Sequence, residues 1–109
     1  MAINVEQIDS KQCRIVVDGE MTIYMAAEIK ASLMPALVKY QEIEIDLAGV
    51  SEMDTSGLQL LLLAKIEALA HGKILRIIEH SPAVLELLSL CDIASFFGDP
   101  VVIPSRVNI

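Results

Sequence analysis

Apolar and polar residues alternate along this chain in two distinct rhythms. Ile3, Val5 and Ile8 suggest a first strand; Cys13, Ile15 and Val17, interleaved with Arg14, Val16 and Asp18, suggest a second. Asp9-Ser10 between them is turn-forming, so the chain is expected to open with a β-hairpin. After Gly19-Glu20 the spacing becomes helical, with Ile29, Leu33 and Leu37 on one face and Glu28, Lys30 and Lys39 elsewhere, and Pro35 is expected to kink that helix. Glu42-Ile43-Glu44-Ile45-Asp46-Leu47 returns to period two and predicts a strand, followed by a loop over 48–54. A strongly apolar helix is expected from Ser56 or Gly57 to residue 70, closed by His71-Gly72 with glycine as left-handed cap. Its polar positions Gln59, Lys65 and Glu67 leave most of it to be buried, the run at 60–63 above all. A strand over 74–78 follows, and Ser81-Pro82 opens a helix carrying Val84, Leu85, Leu88 and Leu90. Gly98, Pro100 and Pro104 allow at most a short strand near 101–103 and then a tail over 104–109.

The predicted order is β-β-α-β-α-β-α, an α/β fold with a mixed four- to five-stranded sheet and about three main helices. Its strands after the hairpin are joined by right-handed parallel crossovers. The 109 residues fit one domain, with a core over about 3–103. Connections that leave parallel strands gather at one sheet edge, so residues 19–22 and 49–55 are expected to be neighbours there, where open α/β sheets bind their ligands.

Composition narrows the function. The chain is 54% apolar and 4% aromatic, so the core is aliphatic. Eight basic against fifteen acidic residues give a net charge of −7, the wrong sign for holding a nucleic-acid backbone and suited to a protein partner with a basic face. The beginning of the sequence shows no leader pattern, and every long apolar run is soon broken by charge, as at Lys65 and Glu67; neither membrane insertion nor export is expected. Cys13 and Cys91 lie far apart and form no Cys-x-x-Cys pair, which points to a reducing compartment, the cytoplasm by default, or to simple packing.

The chemistry concentrates in Asp54-Thr55-Ser56-Gly57, between a strand-ending loop and a helix start. Its hydroxyls and unpaired backbone N–H groups are expected to face outward together, a setting that tolerates an added phosphate. As a bare string it reads better as a helix cap, Thr55 or Ser56, beside a loop acid, Asp54, and only the wider context reverses that preference. Three other readings are weaker. The string matches the Asp-Thr-Ser-Gly turn of aspartic proteases, but those place it among strands and need a second carboxylate. His71 and His80 have no cysteine at metal-ligand spacing, and a triad of Ser56, His80 and Asp54 lacks a Gly-x-Ser-x-Gly elbow. Met21, Tyr24 and Met53 flank the two loops and suit a contact surface, with Met21 and Met53 expected to be partly exposed.

The wider pattern, Asp46-Leu47-x-x-Val50-x-x-Met53-Asp54-Thr55-Ser56-Gly57-Leu58-x-x-Leu61-Leu62, resembles the signature of the STAS family, the sulphate-transporter and anti-sigma-factor-antagonist domains. Gly19-Glu20-Met21 and Ser81-Pro82-Ala83-Val84-x-x-Leu87-Leu88 resemble its flanking segments. The resemblance implies a stand-alone, non-enzymatic antagonist without a cofactor. A partner kinase of the histidine-kinase-like ATPase type, itself the anti-sigma factor, would phosphorylate Thr55, with Ser56 as second acceptor. A PP2C-type phosphatase would reverse the modification. Glu20, Met21, Thr22, Glu52, Met53, Asp54 and Gly57 would form the partner-binding surface, Asp54 orienting the acceptor and Gly57 admitting the kinase to the helix start. The kinase would bring its own ATP and Mg²⁺, and the chain would be a monomer or weak dimer. Thr22 departs from the family, where an aspartate is common, and the tail is too short for the last helix of many members. Control of transcription, biofilm or chemotaxis signalling is the implied output. The alternative is an unphosphorylated STAS subunit seated on the ATPase of an ABC lipid transporter, with Thr55 in direct contact.

Overall fold

The computed structural model describes residues 2–91; the strand expected near 101–103 and the tail at 104–109 lie outside them. The elements follow the predicted order: β1 (Ala2–Gln7), β2 (Gln12–Met21), α1 (Ala26–Lys39), β3 (Glu42–Met53), α2 (Thr55–Ala70), β4 (Ile74–His80) and α3 (Pro82–Cys91). The Asp9 carboxylate closes the hairpin turn by accepting from the N–H groups of Lys11 and Gln12, both at 2.8 Å.

The four strands lie side by side in chain order, β1 antiparallel to β2 and the rest parallel. Because β2, β3 and β4 are sequential neighbours joined by right-handed crossovers, α1 and α2 fall on the same face. That face is the core: Ile15, Ile45 and Ile77 stand in register across three strands and are at most 2% exposed. Leu33 and Leu37 of α1, Leu61 and Ala64 of α2, and Val84 and Leu88 of α3 are buried in the same cluster. On the alternate strand positions Glu44 joins Arg14 at 3.1 Å and Arg76 at 3.3 Å, tying β2, β3 and β4. Both arginines are close to half exposed, so each pair contributes no more than about 1 kcal/mol.

Several expectations are corrected. The loop placed over 48–54 is strand as far as Met53. Period two breaks at Ala48 and Gly49, but the extended β2 supplies partners, Asp18 to Gly49 and Met21 to Met53, through register shifts after Val16 and Gly19. Gly19 has φ of 98°, a left-handed value that a side chain resists, at the second shift. α1 runs continuously from Ala26 to Lys39 with Pro35 inside it, at an exposed position where the missing N–H is tolerated. In α2 Leu60 and Leu61 are buried, but Leu63, Ile66 and Leu69 are 42–62% exposed, because a helix on a two-layer fold has a covered side and an open one. Leu90 of α3 is likewise open to solvent. Gly72 supplies the expected left-handed residue after α2, at φ 66°.

Candidate functional site

Asp54 is the N-cap of α2, in extended backbone at φ −112° and ψ −176°. Its Oδ1 accepts from the N–H of Ser56 at 2.9 Å and of Gly57 at 3.2 Å, while Oδ2 accepts from the N–H of Ile23 at 3.1 Å. Its own N–H donates to the Met21 carbonyl at 3.3 Å. One carboxylate therefore satisfies the helix start and pins it to the turn that follows β2, which brings residues 19–22 and the β3–α2 junction together as the topology requires. The cap is Asp54, not Thr55 or Ser56, and the helix-start amides of Ser56 and Gly57 are already used. The expectation of unpaired N–H groups is corrected at these two positions.

Gly57 fits this junction by size. A Cβ at that position would lie 2.4 Å from the Met21 carbonyl oxygen and 3.0 Å from the Met21 Cβ, so only a bare Cα lets α2 begin against β2. The approach that Gly57 permits is internal, between two elements of this chain. Met21 is fully buried, correcting the expectation of partial exposure, because its side chain enters the core on the same face as Cys13, Ile15 and Val17; Met53 is half-buried. Thr22 is 7% exposed, and its Oγ1 has no hydrogen-bond partner among the described residues.

At the surface stand Thr55, Ile23 and Tyr24, the last 89% exposed. Ser56 is half-buried and lines a hollow of about 300 Å³ between the starts of α1 and α2, with Ile23, Ala27, Lys30, Gln59 and Leu63 among its walls. Beyond Asp54, Glu20 and Glu52 lie directly opposite each other on β2 and β3, both exposed. A hydrogen bond with Glu20 and the negative charge of Glu20, with smaller contributions from partial desolvation and Asp54, raise the Glu52 carboxyl above the ordinary glutamate range. The pairing was not legible in the sequence, because it depends on the strand register created by the two shifts in β2.

The rest of the described residues offer little chemistry. A hollow of about 510 Å³ lies at the far ends of α1 and α2 between Leu37, Val38, Ala68 and His71. Lys73 Nζ at its edge is engaged by the carbonyls of Leu37, Val38 and Tyr40 at the end of α1. No cluster of metal-ligating side chains occurs among the described residues. The Asp54 carboxylate is directed to three backbone N–H groups, which removes the basis for a triad. Burial, and secondarily Glu44, pushes the Cys13 thiol up, opposite to a reactive cysteine. No described helix is long and apolar enough to cross a membrane.

Residues 4–102 match the family model described as Mlab, STAS domain, and the chain belongs to the STAS domain family. Among solved structures it is similar to the anti-sigma factor antagonist SpoIIAA in its unphosphorylated form, with TM-score 0.75 and 22% identity over 92% of this chain and 89% of that one. The Bacillus cell fate determinant SpoIIAA in its phosphorylated form gives 0.71 and 20% over 92% of each chain. An anti-sigma factor antagonist from Mycobacterium paratuberculosis gives 0.80 and 19% over 95% of this chain and 88% of that one. At these identities the likeness establishes a common fold. No curated protein sequence matches the chain significantly.

Proposed function

We propose that this STAS domain is a partner-switching regulator, an anti-sigma factor antagonist in type, that acts by binding and not by catalysis and is controlled by phosphorylation of Thr55. The observation that carries the reading is the exposed Thr55 side chain at the first position of α2, on a backbone fixed by Asp54 and Gly57. A kinase needs a hydroxyl that it can reach and a local backbone that does not have to be rebuilt. A protein of the same fold, SpoIIAA, has been solved in both unphosphorylated and phosphorylated forms.

In the modification Thr55 Oγ1 attacks the γ-phosphorus of ATP held by the kinase. The new O–P bond forms as the bond to the bridging oxygen breaks, ADP departs with that electron pair, and the hydroxyl proton passes to a base of the kinase. The product adds about −1.5 to −2 charge beside Asp54, Glu20 and Glu52, on a chain already at −7. The unmodified edge, with its carboxylates and the exposed Ile23 and Tyr24, suits a partner presenting basic and aromatic or aliphatic side chains. If the added charge costs ~3 kcal/mol at that contact, affinity falls by about two orders of magnitude, enough to exchange partners.

The partner would be a histidine-kinase-like ATPase serving as both binder and kinase, opposed by a PP2C-type phosphatase, in the cytoplasm, with this chain a single-domain monomer or weak dimer. Affinity capture from cells with wild type, Thr55→Ala and Thr55→Glu, together with phosphosite mapping, tests the reading. Capture of such a kinase by wild type and Thr55→Ala but not by Thr55→Glu, with phosphate on Thr55, is the expected result. Capture of a transporter ATPase by all three, with no phosphoform, would replace it by the fixed-subunit alternative.

A further inference from the structure

Thr55 and Ser56 are consecutive, yet they stand in different surroundings. Successive helical residues diverge by roughly 100°, and here that turn carries Thr55 to the solvent and Ser56 into the hollow between the starts of α1 and α2. The charges around a phosphate at either place are mostly hostile. Asp54 lies at the Ser56 amide, Glu20 and Glu52 stand on the adjoining strand ends, and the amides of Ser56 and Gly57 are occupied by the Asp54 carboxylate. The hollow itself is different. Lys30, from the second turn of α1, is the cation in its wall, and among the described residues Lys30 makes no ion pair. The remaining polar walls are neutral, Ser56 and Gln59.

We infer that Lys30 is a built-in counter-charge for a phosphate on Ser56, and that a phosphate on Thr55 does not share it. The inference rests on the reading of this segment as a phosphoacceptor. The two hydroxyls are then not interchangeable positions of one switch. An ester on Thr55 projects into water and offers its full charge to a partner. An ester on Ser56 folds across the hollow toward α1, is partly neutralised by Lys30, and covers Ile23 and Leu63 at the mouth. Phosphorylation at 55 changes what a partner meets electrostatically; phosphorylation at 56 closes an apolar recess.

The test installs phosphoserine at 56 or phosphothreonine at 55 separately during translation, so it does not depend on a cellular kinase. Phosphorus NMR then follows the second ionisation of each ester in the Lys30 background, in Lys30→Gln and in Lys30→Arg. A nearby cation favours the dianion, so Lys30→Gln is expected to raise the phosphoserine-56 value by roughly 0.5 unit, about threefold in proton affinity after solvent screening. Lys30→Arg preserves the wild-type value, and neither change moves phosphothreonine-55. An equal response at both sites, or none at 56, overturns the assignment. Lys30 is exposed, and unchanged circular dichroism confirms that each variant is folded. Failure of the wider reading looks different: neither hydroxyl carries phosphate in cells, while the Lys30 response of the installed ester persists.

Discussion

Replacing Asp54 separates its two structural tasks. Asparagine keeps one carbonyl oxygen, which can hold the N–H groups of Ser56 and Gly57 as Oδ1 does now, and asparagine caps helices about as well as aspartate. Its amide nitrogen then faces the Ile23 N–H, donor against donor, where Oδ2 now accepts at 3.1 Å. A hydrogen bond to a charged group contributes about 1.5–3 kcal/mol, but Ile23 is 64% exposed and water can replace the acceptor. Asp54→Asn should therefore cost about 1 kcal/mol. Asp54→Ala loses the cap as well, a further ~0.5–2 kcal/mol, for a total of about 1.5–3 kcal/mol. In a domain of this size the melting temperature falls by roughly 4–8 °C for each kcal/mol. Urea unfolding followed by circular dichroism measures both variants, and amide hydrogen exchange assigns the loss. In Asp54→Asn the Ile23 amide should lose protection while Ser56 and Gly57 retain theirs; in Asp54→Ala all three should lose it. Equal destabilisation by the two variants, or an Ile23 amide indifferent to both, would refute the view that one carboxylate joins α2 to the β2–α1 turn.

Gly57→Ala sets a gain in helix propensity of up to ~1 kcal/mol against a backbone clash, the new Cβ being 2.4 Å from the Met21 oxygen. Overpacking of that kind costs ~1–3 kcal/mol, so a lower urea midpoint is expected, and a stabilised variant would show that the junction yields easily. Glu52 has a raised carboxyl, so its contribution to stability is present at pH below the ordinary glutamate range and is lost as pH rises through the raised value. Glu52→Gln should therefore be more stable than wild type near pH 7, with the gap closing in acid; a gap that is constant across urea titrations from pH 3 to 7 would contradict the pairing with Glu20.

Much of the architecture was readable because its signals are local. Alternation in Cys13, Ile15 and Val17 and in Ile43, Ile45 and Leu47 marks the central strands, and Ser81-Pro82 and Gly72 mark helix limits. The Ser81 hydroxyl accepts from the Val84 N–H at 3.2 Å, as its position before Pro82 suggested. What was missed depends on tertiary partners. Residues 48–53 carry no clean period and become strand only because β2 extends alongside them. Met21 borders a turn but points into the core, and the closeness of Gly57 to Met21 is invisible without the crossing of α2 over β2. The motif drew attention to the junction of β3 and α2, yet spacing alone could not say that Asp54 accepts from the Ser56 and Gly57 amides, that Glu20 faces Glu52, or that Ser56 shares a hollow with Lys30.

The affinity of the captured partner for the unmodified chain and for the chain phosphorylated on Thr55, compared by titration calorimetry at fixed ionic strength, bears most directly on the proposed switch. Binding weakened about a hundredfold by the phosphate, equivalent to ~3 kcal/mol, with the fold unchanged by circular dichroism, is the predicted result. Equal affinity for the two forms would contradict it and leave Thr55 as no more than the first residue of a helix.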